Sequence, residues 1–396
     1  MIKSIRDASL NNKDVLIRVD LNVPFKRGRI TDLSRMIAIL PTVNYVIKNN
    51  GRPILMSHFG RPENKNDKAL SLRQILRDLK NELCKEVIFC EHLDQPSIST
   101  FIRNASKTSI ILLENTRFFD GEEKNCPKLS KLFAGLGDLF CNDAFSASHR
   151  SHASTVGVAE HLPSYSGLLL EKEVAALNSA LIKPEKPVVA VIGGSKISTK
   201  ITLLQNLVTK VDHLVIGGGM ANTFLFAQDK NIGVSLYEKD FKSTTKHILE
   251  KARKFNCKIH LPIDVVCATG LRPNQNPTLH DATACPDDKM ILDVGPKTIA
   301  KITKVFKTSK TLIWNGPIGV FEVTPFNTAT DSLAVVAALL TKEKKLLSIA
   351  GGGDTVFALN SSGTSKDFSY ISYAGGAFLE WMEGKILPGI SALSKY

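Results

Sequence analysis

The feature that most constrains this chain is a succession of short, almost uninterrupted apolar runs separated by stretches with helical spacing. In the first half the runs are Val15–Val19, Pro53–Met56, Val87–Cys90, Ile110–Leu113 and Leu139–Cys141. In the second half they are Val188–Ile192, Leu214–Ile216, Lys258–Leu261, Ile291–Val294, Leu312–Trp314 and Leu346–Ala350. A strand with one wet face alternates apolar and polar residues. Near-continuous runs predict strands buried on both faces, the mark of parallel sheets. Leu70–Leu83 and Ser332–Leu340 are examples of the helical stretches between them. Repeated β-α order predicts right-handed crossovers and an α/β fold.

A length of 396 residues exceeds what one core usually organises, so two domains are expected. The break falls around 162–187. His161–Gly167 reads as a loop and Leu168–Leu181 as an amphipathic helix, a candidate rigid connector, with Pro184 and Pro187 ahead of the next strand.

Lys and Arg number 51 against 38 Asp and Glu, a net charge of +13. That excess suits a Lys-rich solvated surface, a small acidic substrate or a nucleic acid. Arginine narrows the choice, because 12 of the 14 lie between Arg6 and Arg150. Its planar fork grips carboxylate and phosphate in pairs of hydrogen bonds, so the first half is equipped for small anions. The seven Cys include no C-x-x-C pair, which leaves no metal spacing or disulfide framework and suits a reducing cytosol. The N-terminal MIKSIRDASLNN lacks the apolar core of a signal peptide, and no apolar run reaches the ~18 residues of a membrane span.

In open α/β sheets ligands bind beyond the carboxyl ends of the strands. Here the polar and glycine clusters follow the apolar runs. In the first half these are Asp20-Leu21-Asn22, Ser57-His58-Phe59-Gly60-Arg61, Glu114-Asn115-Thr116-Arg117 and Asn142-Asp143 with His149-Arg150-Ser151-His152. Any one of them could be a turn, a cap or a satisfied histidine. Four in the same topological place point to one basic crevice for a small, highly charged anion. In the second half the clusters are glycine-rich: Gly193-Gly194-Ser195-Lys196, Gly217-Gly218-Gly219, Asn315-Gly316-Pro317 and Gly351-Gly352-Gly353-Asp354-Thr355. Glycine lets phosphate approach backbone N–H groups, and a following helix adds its positive end. Asp354 beside such a loop is placed as a ligand of nucleotide-bound Mg²⁺.

Neither G-x-x-x-x-G-K-[ST] nor G-x-G-x-x-G occurs, so the Walker and Rossmann dinucleotide fingerprints are unsupported. H-E-x-x-H and G-x-S-x-G are absent as well. The residues alone thus describe a two-domain α/β enzyme, one half for a small anion and the other for a nucleotide. Phosphoryl transfer is the natural chemistry, since it needs positioning and charge neutralisation more than a protein nucleophile.

At this point the motifs can be matched to a family. RVDLNVP (18–24), SHFGRP (57–62), LENTRF (113–118) and HRSH (149–152) resemble the substrate motifs of the phosphoglycerate kinases. GGSKISTK (193–200), GGGMANTF (217–224), LDVGP (292–296), WNGPIGVFE (314–322) and GGGDT (351–355) resemble that family's nucleotide motifs. They run in family order over essentially the whole chain. The resemblance implies two Rossmann-like domains, each a parallel sheet flanked by helices, joined by a hinge helix. A 3-phosphoglycerate-binding domain at 1–165, completed by 385–396, would be followed by a nucleotide-binding domain at 166–384. Asp20, Leu21, Asn22, Arg35, His58, Phe59, Gly60, Arg61, Arg117 and Arg150 would hold 3-phosphoglycerate or 1,3-bisphosphoglycerate. Lys196, Lys200, Gly217, Glu322, Gly352, Gly353, Asp354 and Thr355 would hold ADP or ATP, with Asp354 on Mg²⁺. Arg35 and Lys200 would neutralise the phosphoryl group in flight. A cytosolic monomer is expected, with no nucleic-acid or membrane partner.

Two places depart from the family pattern. Tyr373 and Ala374 stand where the family usually has Thr and Gly, at a helix N-terminus facing the transferring phosphate. Ser195 and Thr199 stand where some members have Ala and Asp. A basic nucleic-acid-binding protein is the rival from another class. It would need exposed aromatics among clustered cations, and aromatic residues make up only 7% of the chain. An inactive relative is the third reading, and the presence of Asp20, Arg35, Lys200 and Asp354 argues against it.

Overall fold

A computed structural model describes residues 2–65, 67–272 and 276–394. The chain divides into two compact units. The first runs to Val174 and takes in the residues from Ile386 onward; the second spans Ala175–Lys385.

In chain order the strands of the first unit are β1 (Asp14–Arg18), β2 (Phe25–Lys26), β3 (Arg29–Ile30), β4 (Arg52–Met56), β5 (Val87–Cys90), β6 (Ile110–Leu113), β7 (Leu139–Asn142) and β8 (Ser164–Ser166). β2 and β3 form a small antiparallel hairpin. The other six make one parallel sheet in the order β5-β6-β4-β1-β7-β8. Every residue of β4 and β6 is buried, as helices on both faces require. Val15, Ile17, Leu55 and Leu112 share a core with Val43 and Val46 of the helix Leu40–Lys48 and Leu79 of the helix Leu76–Leu83. Each such side chain stabilises by roughly 1.5–3 kcal/mol relative to exposure. Chain order reverses at β1, which lies between β4 and β7, so the carboxyl ends of these strands frame the crevice where such sheets bind ligands. The C-terminal segment packs beside it: Gly389 N donates to Ser148 O at 2.9 Å and Asn142 Nδ2 to Gly389 O at 3.1 Å.

The second unit contains β9 (Val188–Ile192), β10 (His213–Ile216), β11 (Lys258–His260), β12 (Asp264–Ala268), β13 (Thr278–Asp281), β14 (Met290–Val294), β15 (Thr311–Asn315), β16 (Leu347–Gly351) and β17 (Tyr370–Ser372). Six form a parallel sheet in the order β11-β10-β9-β15-β16-β17. Here the order reverses between β9 and β15. Trp314, fully buried on β15, packs against Phe306 and Phe368 and donates from Nε1 to Gly316 O at 2.9 Å. Two helix-flanked parallel sheets are the α/β fold the apolar runs predict.

Three local expectations need correction. Ile291–Val294 does not extend a parallel sheet; β14 pairs antiparallel with β12, in a three-stranded sheet ordered β13-β12-β14. The stretch 161–167 is not wholly loop. Its Ser164–Ser166 portion is β8, which pairs with β7 through the backbone despite its polar sequence. Leu70–Leu83 is not one helix. Glu114 accepts from Ser71 Oγ at 2.6 Å and from Leu72 N at 3.0 Å. That anchor breaks the stretch into the 3₁₀ turns Lys68–Leu70 and Leu72–Ile75 ahead of the helix Leu76–Leu83.

Candidate active site

In the first unit the carboxyl ends of β1, β4, β6 and β7 bring the polar clusters to one edge. Asp20 follows β1 and is buried. It pairs with Arg35 at 3.0 Å and accepts from the Ser146 hydroxyl. Burial alone would push the Asp20 carboxyl up, but Arg35 and these hydrogen bonds hold it below the usual carboxylate range. Arg35 also donates to Asn22 O at 2.9 Å, and Asn22 Oδ1 accepts from Gly60 N at 2.8 Å. Asn22 therefore ties the β1 loop to the β4 loop. Leu21 N donates to Ser57 Oγ at 2.9 Å, a second tie. Asn115, after β6, accepts from Phe59 N at 3.1 Å and donates to Phe59 O at 2.7 Å.

Arg117 donates to Gly60 O and pairs through Nε with Glu123 at 3.0 Å. Burial lowers its guanidinium, and the neighbouring cations Arg150 and Arg61 lower it further. Arg61 is exposed, and Arg150 lies against His149, Nε to Nε2 at 3.1 Å. Burial pushes the His58 ring down to about 3, with Arg18 adding to the effect. All ten first-half residues expected to meet substrate thus lie in this unit, on the loops beyond the strand ends or, for Arg117 and Arg35, on the 3₁₀ turn Thr116–Phe118 and the short helix Ser34–Ala38.

In the second unit the loops after β9 and β15 touch backbone to backbone. A Cβ on Gly193 would sit 1.8 Å from Pro317 O, and one on Gly316, whose φ is +101°, would sit 2.3 Å from Gly193 O. Only glycine permits this approach. It gathers the elements around Lys200, whose ammonium donates to Gly193 O at 2.7 Å and Asn315 Oδ1 at 2.6 Å. Burial lowers Lys200 to about 8, against the opposing pull of the Asp354 carboxylate. Asn315 Nδ2 donates to Gly351 O at 2.7 Å, and Thr355 Oγ1 accepts from Gly316 N at 2.7 Å, so the β16 loop joins the same cluster. A cavity of about 540 Å³ lies against Gly194, Gly218, Pro317, Glu322 and Asp354, with an apolar wall that includes Val234 and Leu236. Lys196, Glu322, Gly353 and Asp354 are exposed, Gly352 is half-buried, and Gly217 and Thr355 are buried.

Sequence reasoning did not single out four contributors. Asn315 orients Lys200, Ser146 supports Asp20, and Arg18 and Glu122 form a buried network behind His58. Arg18 and Asn315 stand inside quoted motifs, yet nothing in their spacing says what they touch. At the departure from the family pattern, Ala374 is buried with its N–H on Ser372 Oγ at 3.3 Å. The positive φ, +51°, falls on Gly375 instead.

The fold and its loops define a doubly wound α/β protein with an anion-ready sheet edge in each unit. A family model described as Phosphoglycerate kinase matches residues 5–385. A phosphoglycerate kinase of Cereibacter sphaeroides is 52% identical over 393 residues, covering 99% of each chain. One of Dinoroseobacter shibae is 51% identical over 391 residues, covering 99% of this chain and 98% of its own. The solved phosphoglycerate kinase of Coxiella burnetii superposes with a TM-score of 0.91 at 42% identity, over 100% of this chain and 99% of that one. That of Pyrococcus horikoshii gives 0.83 at 27%, over 99% and 98%. The chain belongs to the phosphoglycerate kinase family, glycolytic phosphotransferases with a carboxyl group as acceptor. Among the described residues no helix is long and apolar enough to cross a membrane.

Proposed function

We propose that this chain catalyses the reversible, Mg²⁺-dependent transfer of a phosphoryl group from 1,3-bisphosphoglycerate to ADP, giving 3-phosphoglycerate and ATP. The observation that carries the reading is the division of labour between the units. One has a cation-rich crevice built on Asp20, Asn22, Arg35, His58, Arg61, Arg117 and Arg150. The other has glycine loops around Lys200, beside a cavity bordered by Asp354.

In the first unit Arg61, Arg117 and Arg150 neutralise the substrate's phosphate, while Asp20 and Asn22 keep Arg35 in position. Leu21, Phe59 and Gly60 fix the loops that carry these groups. In the second unit the N–H groups of Gly352, Gly353 and Thr355 face the nucleotide phosphates, with Lys196 and Glu322 at the rim, while Gly217, whose N–H donates to Ile192 O at 3.0 Å, fixes the β10 loop beside them. The transfer breaks one P–O bond and forms another, with a substrate carboxylate oxygen as partner, so the protein supplies no nucleophile. Lys200, now held by neutral carbonyls, and Arg35 neutralise charge on the phosphoryl group as it passes. Among the described residues no three His, Cys, Asp or Glu form a protein-only metal cage. The exposed carboxylate of Asp354 fits a Mg²⁺ that keeps waters and arrives with nucleotide phosphates. Magnesium, when bound, offsets the negative charge of those phosphates. The proposal includes hinge bending, a monomeric state and a cytosolic location.

Calorimetry on the two half-sites tests the assignment. Asp354→Ala should weaken Mg²⁺-ADP binding while leaving 3-phosphoglycerate affinity intact, and Arg150→Ala should do the reverse. Loss of both affinities in either variant, or of neither, would contradict it.

A further inference from the structure

Behind the anion crevice lies a buried chain of groups that the proposed reaction does not use directly. Arg18, at the end of β1, is 1% exposed. Its Nε donates to Ser154 Oγ at 3.0 Å, its Nη1 donates to Val19 O, and its Nη2 lies 3.1 Å from His58 Nδ1. Ser154 in turn donates from Oγ and, at 2.9 Å, from N to the carboxylate of Glu122, itself 1% exposed. The guanidinium is thus fixed by three partners, and its charge is balanced through one bridging hydroxyl.

A guanidinium carries five N–H donors and no acceptor, and it stays protonated in proteins. An N–H on His58 Nδ1 would therefore meet an N–H of Arg18 head-on. The 3.1 Å contact is a hydrogen bond only if Nδ1 is the bare acceptor, which leaves the ring proton on Nε2. We infer that Arg18 is a positioning residue that locks His58 as the neutral Nε2–H tautomer, so that the ring enters the anion crevice as a fixed hydrogen-bond donor and not as a cation. The charged groups facing His58 are Arg18, Asp20, Arg117 and Arg35; only Asp20 favours the imidazolium, and Asp20 is already paired with Arg35. Burial is the largest influence on the ring and acts in the same direction as the three cations. A neutral donor keeps its affinity for a phosphoglycerate-type anion constant across the pH range in which an ordinary histidine switches charge. The donor role rests on the substrate site proposed above; the tautomer does not.

The test is long-range ¹H–¹⁵N spectroscopy of the histidine-labelled full chain, with His58 assigned by its absence in His58→Gln. Between about pH 5 and 8, Nδ1 should show the shift of an unprotonated ring nitrogen and Nε2 that of a protonated one, without titration. An Nδ1–H tautomer, or protonation within that window, would overturn the inference. In Arg18→Met/Glu122→Gln, which removes both buried charges together, the two nitrogen shifts should converge towards a tautomer mixture. An unchanged Nε2–H pattern in that variant would show that Arg18 does not set it. Should the variant not fold, the wild-type spectra decide alone. Adding 3-phosphoglycerate to the wild type separates the two readings. His58 signals that do not move would refute its place in the substrate site while leaving the tautomer assignment standing.

Discussion

The low proton affinity of Lys200 gives the pH profile a shape that can be worked out in advance. The perturbation is alkaline titration of the free enzyme. Burial brings the Lys200 ammonium to about 8, and Asp354 holds it up against a larger fall. An ordinary lysine, near ~10.4, is almost wholly charged at about pH 9, whereas a group near 8 retains only about one charge in ten. If the cation is the working form, kcat/KM for nucleotide should be flat below about pH 8 and fall about tenfold for each further pH unit. The kcat limb should lie at higher pH, because bound phosphates favour the charged amine. The assay is initial-rate ATP-dependent phosphorylation of 3-phosphoglycerate at saturating Mg²⁺. Lys200→Arg supplies the control, since a guanidinium keeps its charge throughout. Whatever its residual rate, its profile should lack this limb. Asp354→Asn should move the limb to lower pH, because the opposing carboxylate is gone. A wild-type limb no lower than about pH 10, or the same limb in Lys200→Arg, would refute the reasoning.

Two further outcomes follow from the site. Arg35→Ala should lower kcat and kcat/KM together, by on the order of 10³–10⁵, as expected for a cation aimed at the transferring group; steady-state kinetics in which only KM rises would make Arg35 a ground-state binder. Tyr373→Thr/Ala374→Gly should change kcat by less than about tenfold, or roughly 1.4 kcal/mol, because Gly375 already carries the positive φ of the turn; a gain on the order of a hundredfold or more would mean that the natural loop lacks a transition-state donor.

Much of the fold is legible because burial on both faces leaves a strong mark. β5, β6 and β9 coincide with their apolar runs, and the strands on the other eight runs are displaced by a residue or so at their ends, whereas β2, β3, β8, β12, β13 and β17 correspond to none of the eleven runs. What the apolar runs do not encode is the partner. β14 has the same apolar character as a parallel strand, yet it pairs antiparallel with β12, whose other neighbour, β13, alternates between exposed and half-buried residues. β8 is invisible for the opposite reason: Ser164-Tyr165-Ser166 has almost no apolar signal, and its place is set by backbone pairing. The interruption of Leu70–Leu83 depends on Glu114, more than thirty residues away, which no local pattern contains.

The candidate site divides in the same way. Polar clusters after apolar runs reveal which loops line the sheet edges, since that follows from topology alone. The contacts among those loops are another matter. That Asn315 would hold Lys200, or that Arg18 would stand between Glu122 and His58, depends on side chains brought together by different strands. Glycine carries an intermediate signal. Its clustering is visible in the sequence, but the steric reason at Gly193 is the carbonyl of Pro317, 124 positions away.

The most direct test of the central claim is ATP formation from 1,3-bisphosphoglycerate and ADP by the purified full chain, followed with and without Mg²⁺. The account predicts ATP and 3-phosphoglycerate appearing in equal amounts, abolished by a chelator and restored by added Mg²⁺. No ATP formation by the folded protein, or formation indifferent to Mg²⁺, would contradict it.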